Sequence, residues 1–296
     1  PVSGAVDTGR SSGVPSSHTV TRDYHLHTPY CRHADGSLEA YVQQARARGL
    51  EEICFAPHVP LPDFPRGGSD LRMDSADVET YFGDVERLRR ACPGLTVLAG
   101  LEADYYPGYE EYLGRLLESW PFDLVLMSVH FVREWPGENW LFRYDFPHKS
   151  RRQVYGEYFA AVRDGIRTGL YDCLAHLDLV KRPGAPVMAT NADDVEEVLE
   201  LAAARGMSLE INSGGLRKPI GETYPAPEVL TLAARKGLPM VMGSDAHEPA
   251  QVASGFDAVA VVLERIRAGG GPSPTLVRYR RRRLQPACLG PSTVPR

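Results

Sequence analysis

Residues 23–33 are DYHLHTPYCRH, a stretch in which two histidines close a short apolar strand and a third lies in the loop that follows. Alternate residues of a β-strand point to the same face, so the side chains of His25 and His27 can reach one ion. His33 comes six residues after His27, close enough to serve a neighbouring ion. This stretch predicts a strand with metal ligands at its carboxyl end, and the rest of the chain repeats that unit.

Strand-like and helix-like segments alternate along the whole chain. The strand candidates are residues 18–26, 51–56, 95–103, 122–130, 171–176, 207–212 and 238–244. The helix candidates are residues 38–48, 76–91, 109–119, 150–168, 192–205, 226–236 and 250–268, the first with Ser37 as N-cap and Gly49 at its end. Such alternation indicates βα units and a mostly parallel sheet. Because no change in composition divides the chain, we expect one closed or nearly closed α/β barrel, with TLVRYR (275–280) as a candidate eighth strand.

Nitrogen and oxygen ligands follow six of these strands. They are His25, His27 and His33 after the first strand, His58 after the second, Glu102 on the third, His130 after the fourth, His176 after the fifth, and Asp245 and His247 after the seventh. In parallel barrels the functional groups lie at the carboxyl ends of the strands. We therefore expect these side chains to converge. Imidazole and carboxylate without thiolate suit Zn²⁺, Mn²⁺ or Fe²⁺ in a hydrolytic site.

Length, charge and cysteine content narrow the class of protein. The 296 residues are enough for one large barrel, which we place at 21–285, between a flexible tail at 1–20 and a C-terminal tail at 286–296. A net charge of −5 predicts neither a nucleic-acid partner nor a membrane surface. The five cysteines form no CxxC pair and are odd in number, which favours a reducing, cytoplasmic setting.

Two insertions and one basic cluster interrupt the regular pattern. Residues 57–74, rich in Pro and Gly, and residues 131–149, rich in aromatic side chains, each follow a strand that ends in a ligand candidate. Both are therefore expected to overhang the site. The four arginines at 280–283 are interpreted as a solvated strand edge, because the rest of the chain is acidic.

At this point the chain resembles the PHP (polymerase and histidinol phosphatase) family, and within it the histidinol-phosphate phosphatase branch. The resemblance runs from Asp23 to His247 and rests on DYHLHTPYCRHADGS, FAPHVPLP, GLEADYYPG, SVHFV, AHLDLVKR, EINSGGLRKP and GSDAH. It implies a distorted (β/α)7 TIM-like barrel, in agreement with the seven strands counted above. It also implies hydrolysis of a small phosphomonoester, L-histidinol phosphate, to L-histidinol and phosphate in histidine biosynthesis.

The resemblance further implies a centre of three divalent ions (Zn, Fe or Mn). One ion would be held by His25, His27, Glu102 and Asp245, the second by Glu102, His130 and His176, and the third by His33, His58 and His247. Such a centre would bind the phosphoryl oxygens and lower the pKa of a water for in-line attack. Asp245 and His247 are the candidate catalytic acids for the leaving alkoxide. Family positions for phosphate-binding basic residues correspond to Arg217 and to the pair Lys181 and Arg182.

Three other functions remain open from the sequence. Another PHP phosphoesterase could act on a different phosphomonoester or a nucleotide end, although no polymerase domain is present in this chain. A metal-dependent amidohydrolase would also place HxH and Asp at strand ends, but it commonly uses a carbamylated Lys, and no strand here ends in Lys. A metal-storage or regulatory protein fits poorly with open mixed ligand sets beneath long loops.

Overall fold

Seven parallel strands form one sheet whose spatial order is the order of the chain. The computed structural model describes residues 20–62, 71–133, 135, 141, 148–181 and 183–286. The strands are β1 (Arg22–Leu26), β2 (Glu52–Phe55), β3 (Thr96–Asp104), β4 (Leu124–Ser128), β5 (Cys173–Leu174), β6 (Ser208–Asn212) and β7 (Met240–Gly243). They are buried almost throughout, as expected of strands covered on both faces.

The last strand returns to the first and nearly closes the sheet. A parallel bridge joins Leu26 to Ala246, and the amide of His27 donates to the carbonyl oxygen of Ala246 over 2.9 Å. The side chain of Asp23 on β1 also accepts from the amide of Ser244 at 2.9 Å. The predicted seven-stranded, nearly closed barrel is confirmed.

Seven α-helices connect the strands where the sequence predicts them. They are α1 (Leu38–Ala47), α2 (Val78–Ala91), α3 (Glu110–Ser119), α4 (Arg151–Thr168), α5 (Ala192–Ala204), α6 (Pro227–Arg235) and α7 (Phe256–Ala268). The predicted cap at Ser37 is confirmed, since its Oγ accepts from the amide of Ala40. The last helix starts six residues later than predicted, because a short 3-10 turn at Pro249–Gln251 and the left-handed Gly255 precede it.

Apolar packing divides into two layers, one on each side of the sheet. The larger layer lies between the sheet and the helices and includes Phe55, Val85 and Phe159. The smaller layer fills the barrel interior with inward residues such as Tyr24, Leu98 and Leu126. Because this interior packing occupies the barrel, the polar strand ends are confined to its mouth.

Residues 275–280 do not form an eighth barrel strand, so that expectation is wrong. Instead β8 (Val277–Arg280) pairs antiparallel with β9 (Arg283–Pro286) in a separate hairpin. One parallel bridge, Met240 to Leu276, ties its start to β7. Val277 and Tyr279 pack into the interior layer, and Tyr279 Oη donates to Asp172 O at 2.9 Å. The hairpin therefore covers the end of the barrel opposite the ligand candidates.

The arginines at 280–283 are not simply a solvated strand edge. Arg280 Nη2 lies 2.7 Å from Glu52 Oε2. The guanidinium of Arg282 donates to both carboxylate oxygens of Asp172 at 2.9–3.1 Å. Arg281 and Arg283 are exposed as expected. The ion pairs of Arg280 and Arg282 could not be predicted from the strand pattern, because their acidic partners are more than 100 residues away in the sequence.

Several predictions fall partly outside the described residues. The proposed tails lie there except for Val20 and Pro286, so their boundaries stay predictions. Of the two insertions, the described residues Leu71, Arg72 and Phe131 do line the cavity at the barrel mouth.

Cys31, Cys54, Cys92 and Cys173 are buried free thiols. Among the helices that the structure describes, none is long and apolar enough to cross a bilayer.

Candidate metal centre

All nine ligand candidates come together at the carboxyl ends of the strands. Eight of them line a cavity of about 490 Å³ at the barrel mouth, and His25 lies just beneath it, fully buried. Four groups of three side chains place their ligand atoms within 4.8 Å of one another: His25, His27 and Asp245; Glu102, His130 and His176; His27, His33 and His58; and His58, Asp104 and His130. The convergence predicted from the strand ends is present.

Glu102 lies at the centre of this cluster. Its Oε2 atom is 3.3 Å from His25 Nε2, 3.4 Å from His27 Nε2 and 3.1 Å from His58 Nδ1. Its Oε1 atom is 2.8 Å from His176 Nε2 and 3.8 Å from His130 Nε2. A carboxylate with imidazole nitrogens around both oxygens has the donor arrangement of a bridging metal ligand.

His33 and His247 face each other across the outer part of the cavity. His33 Nδ1 is 2.7 Å from Cys31 O, and His247 Nδ1 is 3.0 Å from Asp245 O. A carbonyl oxygen only accepts, so the proton of each ring is assigned to Nδ1. In its neutral form each ring then directs a lone pair from Nε2, and the two Nε2 atoms are 3.1 Å apart. Two facing lone pairs repel unless a cation lies between them.

Buried ligand atoms without hydrogen bonds provide a test of whether the residues fit metal ions. Among the described residues, His25 Nε2, His58 Nδ1 and Glu102 Oε2 are buried and have no partner in hydrogen-bonding geometry. Leaving three such atoms unsatisfied in one place is costly for a folded protein. Because all three point at the same small space, the donor set fits divalent cations.

Burial and neighbouring charges keep His27, His58 and Glu102 in the protonation states that metals require. Burial lowers the pKa of His27 to about 3, with His247 adding to the effect, and lowers the pKa of His58 well below its ordinary value. For Glu102, burial alone would raise the pKa, but His58 and His25 outweigh it and hold the pKa well below the usual range. The imidazoles of His27 and His58 are thus neutral and the carboxylate is ionised, as ligands must be.

Two carboxylates behind the ligands were not recognised from the sequence as orienting groups. Asp104 Oδ1 accepts from His130 Nδ1 at 2.9 Å, and Glu210 Oε1 lies 2.7 Å from His25 Nδ1. Metal-binding histidines commonly carry such a partner on their second nitrogen. Asp104 could have been found, because it lies two residues after Glu102 on β3 and so shares its face.

Arg217 lies behind the ligand candidate Asp245 rather than in the cavity wall. Its Nη2 atom donates to the backbone oxygens of Ser244 and Asp245 at 2.8 and 2.9 Å. These bonds support the turn that carries Asp245. In this arrangement Arg217 contacts the ligand cluster only through the backbone of Ser244 and Asp245. Its predicted bond to phosphate stays a prediction.

Lys181 lines the cavity, but its ammonium group is already bonded within the chain. Its Nζ atom donates to Thr223 O at 2.6 Å and lies 3.0 Å from Glu222 Oε1 and 3.1 Å from Asp178 Oδ2. These three acceptors match the three protons of an ammonium group. Arg182 lies outside the described residues. Lys218, which follows Arg217 in GGLRKP, is exposed and also lines the cavity.

Comparison with known proteins agrees with this geometry. The family model described as "PHP domain" matches residues 23–214, and the one described as "PHP-associated" matches residues 227–269. A protein of Deinococcus radiodurans named "probable histidinol-phosphatase" is 36% identical over 89% of this chain and 98% of its own length. The histidinol-phosphatase of Bacillus subtilis is 30% identical over 80% of this chain and 97% of its own.

A solved structure shows the same fold. The histidinol phosphate phosphatase of Lactococcus lactis, in complex with zinc, L-histidinol and phosphate, superposes with a TM-score of 0.74 at 23% identity, covering 90% of this chain and 98% of the other. The resemblance noted in the sequence is thereby confirmed. With a family match over well over half of its residues and these full-length relatives, the chain belongs to the PHP family.

Proposed function

We propose that this protein is a metal-dependent histidinol-phosphate phosphatase, which hydrolyses L-histidinol phosphate to L-histidinol and inorganic phosphate. The observation that carries the proposal is the convergence of His, Glu and Asp ligand atoms on one cavity, in a chain whose relatives at 36% and 30% identity are named "probable histidinol-phosphatase" and "histidinol-phosphatase". A phosphoric monoester hydrolase of this family needs both the ligand set and a cavity large enough for a small substrate.

The ligand set supports three divalent ions, with zinc, iron or manganese as the metals. His25, His27, Glu102 and Asp245 would hold the first; Glu102, His130 and His176 the second; His33, His58 and His247 the third. The first two groups contain the sets of atoms that approach within 4.8 Å, and the third contains the facing nitrogens of His33 and His247. When bound, such ions bind phosphoryl oxygens and make water a nucleophile near neutral pH.

The chain's own residues would hold the substrate and manage its protons. Lys218 at the rim brings a positive charge to a cavity whose inner wall carries Glu102 and Asp245. Arg217 and Lys181 remain proposed contributors to phosphate binding, Lys181 only if its ammonium exchanges an internal acceptor for the phosphate. Asp245 and His247 are the proposed sources of the proton for the leaving alkoxide, and Asp245 also serves as a ligand.

The remaining cavity wall suits an organic group with a flat ring. Phe131, Leu141 and Ile220 contribute apolar surface to it, and Tyr224, whose ring centroid lies 4.9 Å from Lys181 Nζ, belongs to the same lining. An imidazole ring can pack against such a wall while its phosphate reaches the ligands. This supports a small-molecule phosphomonoester as the substrate.

The test is phosphate release from L-histidinol phosphate beside a panel of other phosphomonoesters, before and after chelation and with Zn²⁺, Mn²⁺ or Fe²⁺ restored. We expect histidinol phosphate to have the highest kcat/KM and activity to disappear with the metal and return with it. Equal rates across the panel would contradict the substrate, and full activity after complete metal removal would contradict the metal-dependent reaction. An Asp245→Asn variant with full turnover would remove Asp245 from the proton-transfer role.

A further inference from the structure

Strand β6 supplies none of the nine ligand candidates, yet two of its side chains reach the ligands of neighbouring strands. Glu210 and Asn212 are two residues apart, so both side chains point to the barrel interior. Both are fully buried. Glu210 is not a ligand candidate, and its burial close to the acidic side chains of Glu102 and Asp245 therefore needs another explanation.

The carboxylate of Glu210 joins two ligand candidates directly. Its Oε1 atom lies 2.7 Å from His25 Nδ1, while Oε2 accepts from the backbone amide of His176 at 2.8 Å. The amide of Asn212 donates to the same Oε2 at 3.1 Å and lies 3.4 Å from Asp245 Oδ2. Glu210 and Asn212 thus connect a ligand candidate on β1 with others that follow β5 and β7.

The backbone of these ligands is where such support is needed. His176 has φ +24° and Asp245 has φ +54°, in the left-handed region that non-glycine residues rarely adopt. A strained backbone persists only where surrounding contacts hold it, and such strain is concentrated at functional sites. The bond from His176 N to Glu210 is one of those contacts.

We propose that Glu210 is a positioning residue for the metal centre. By accepting from Nδ1 of His25, it keeps the proton on that nitrogen and directs the lone pair of Nε2 toward Glu102. By accepting from the amide of His176, it fixes the backbone that presents the second ligand. The inference rests on the metal-binding part of the proposed function.

Gly243 on β7 provides the space in which Glu210 reaches His25. A Cβ at this position would lie 2.0 Å from Glu210 Oε1 and 2.8 Å from His25 Cβ. The Gly243→Ala substitution would therefore crowd the Glu210 carboxylate most and the His25 side chain as well, without altering the chemistry of either. This offers a second way to break the same contact.

The decisive experiment measures zinc affinity, by competition with a chromophoric chelator, for the metal-stripped full chain and three variants, of which two are a matched pair. Glu210→Gln removes the buried charge behind the ligands, whereas Glu52→Gln removes an equally buried one at the other end of the barrel. We expect Glu210→Gln to bind zinc about 10- to 100-fold more weakly than wild type. Glu52→Gln should keep wild-type zinc affinity, whatever its thermal stability. The zinc affinity of Gly243→Ala should be lowered, as in Glu210→Gln.

Unchanged affinity in Glu210→Gln, or an equal loss in Glu52→Gln, would overturn the inference while leaving the proposed function standing. A wild type that binds no zinc, manganese or iron would overturn both. If neither Glu210→Gln nor Gly243→Ala folds, ¹⁵N NMR of the zinc-loaded wild type decides the question. A proton on Nδ1 of His25 supports the positioning role, and a proton on Nε2 refutes it.

Discussion

The two ends of the barrel both bury acidic side chains but balance them in opposite ways. At the closed end, Glu52 lies 2.7 Å from both Arg278 and Arg280, and Asp123 lies 2.5 Å from Arg89. At the open end, the described residues pair the carboxylates of Glu102 and Asp245 with histidines and asparagine, and with no Arg or Lys. Asp104, behind them, is shared between Arg72 and His130.

The difference separates structural acids from functional ones. Arginine is always charged, so an acid paired only with arginine is neutralised permanently and has no charge left for a cation from outside the chain. Histidine neutralises a carboxylate only when protonated, and a metal ion can replace that proton. Carboxylates surrounded by imidazoles therefore keep their negative charge available for a cation from outside the chain.

Removing the central acid at the open end should have the largest effect. We expect Glu102→Gln to lower kcat/KM for histidinol phosphate by more than about 100-fold, because even residues that only orient a ligand account for 10- to 100-fold. Steady-state phosphate release, with metal content measured in parallel, checks this. Activity within a few-fold of wild type would show that the central carboxylate is not needed, and it would contradict the functional difference between the acids at the two ends of the barrel.

Removing the matching acid at the closed end should change stability and leave chemistry intact. Glu52→Gln leaves Arg278 and Arg280 without their carboxylate, and it weakens the hydrogen bond that Glu52 accepts from Tyr24. We expect a loss of roughly 2 kcal/mol in the free energy of unfolding, below the full cost of breaking a buried pair because water can reach the arginines. Urea unfolding measures the loss, and kcat per metal-loaded site should match wild type.

The same variant should have a defined pH dependence. Burial alone would raise the pKa of Glu52, but hydrogen bonds from Arg278, Tyr24 and Arg280 outweigh it and hold the pKa below its ordinary value of 4.5. A lowered pKa in the folded state means that the ionised group stabilises the fold above pH 4.5 and that this contribution is lost as the pH falls through the folded-state pKa. The stability difference between wild type and Glu52→Gln should therefore shrink below that pH, and a difference that grew on acidification would contradict the pairing.

The smallest expected effect concerns two exposed cations, one at each end. Lys218 lines the cavity at the barrel mouth, and among the described residues its ammonium group has no acceptor, while Arg283 is exposed on the hairpin. Lys218→Met should raise KM by about 2- to 5-fold with little change in kcat, the size expected of an exposed charge pair. Arg283→Met should change neither constant. An equal effect of both substitutions would indicate general electrostatics and not a contact at the cavity.

The strand ends were predictable because their signal is local. An apolar strand followed by His, Glu or Asp is visible in a few residues, as in FAPH (55–58) or GSDAH (243–247), and a parallel barrel brings all such ends to one mouth. The clustering of His25, His27, Glu102 and Asp245 thus followed from topology. Asp104 shared the face of Glu102 by alternation, yet its hydrogen bond to His130 depends on how two neighbouring strands are aligned.

Other features depend on contacts between distant parts of the chain. Glu210 meets His25 across 185 residues, and Arg280 meets Glu52 across 228. Lys181 resembles a phosphate-binding residue in sequence, but folding surrounds it with the acceptors Asp178, Glu222 and Thr223. No local pattern specifies which acid a buried base will meet.

The sequence by itself determined the seven-fold βα repeat, the family, and the set of side chains at the barrel mouth, because hydrophobic periodicity and strand polarity are properties of short segments. Only the tertiary structure decided which of the buried charges are neutralised within the chain. That depends on strand register and on the hairpin β8–β9 closing the far end. The physical reason is that the free energy of a buried charge depends on the partner within a few ångströms, and that partner is chosen by the fold.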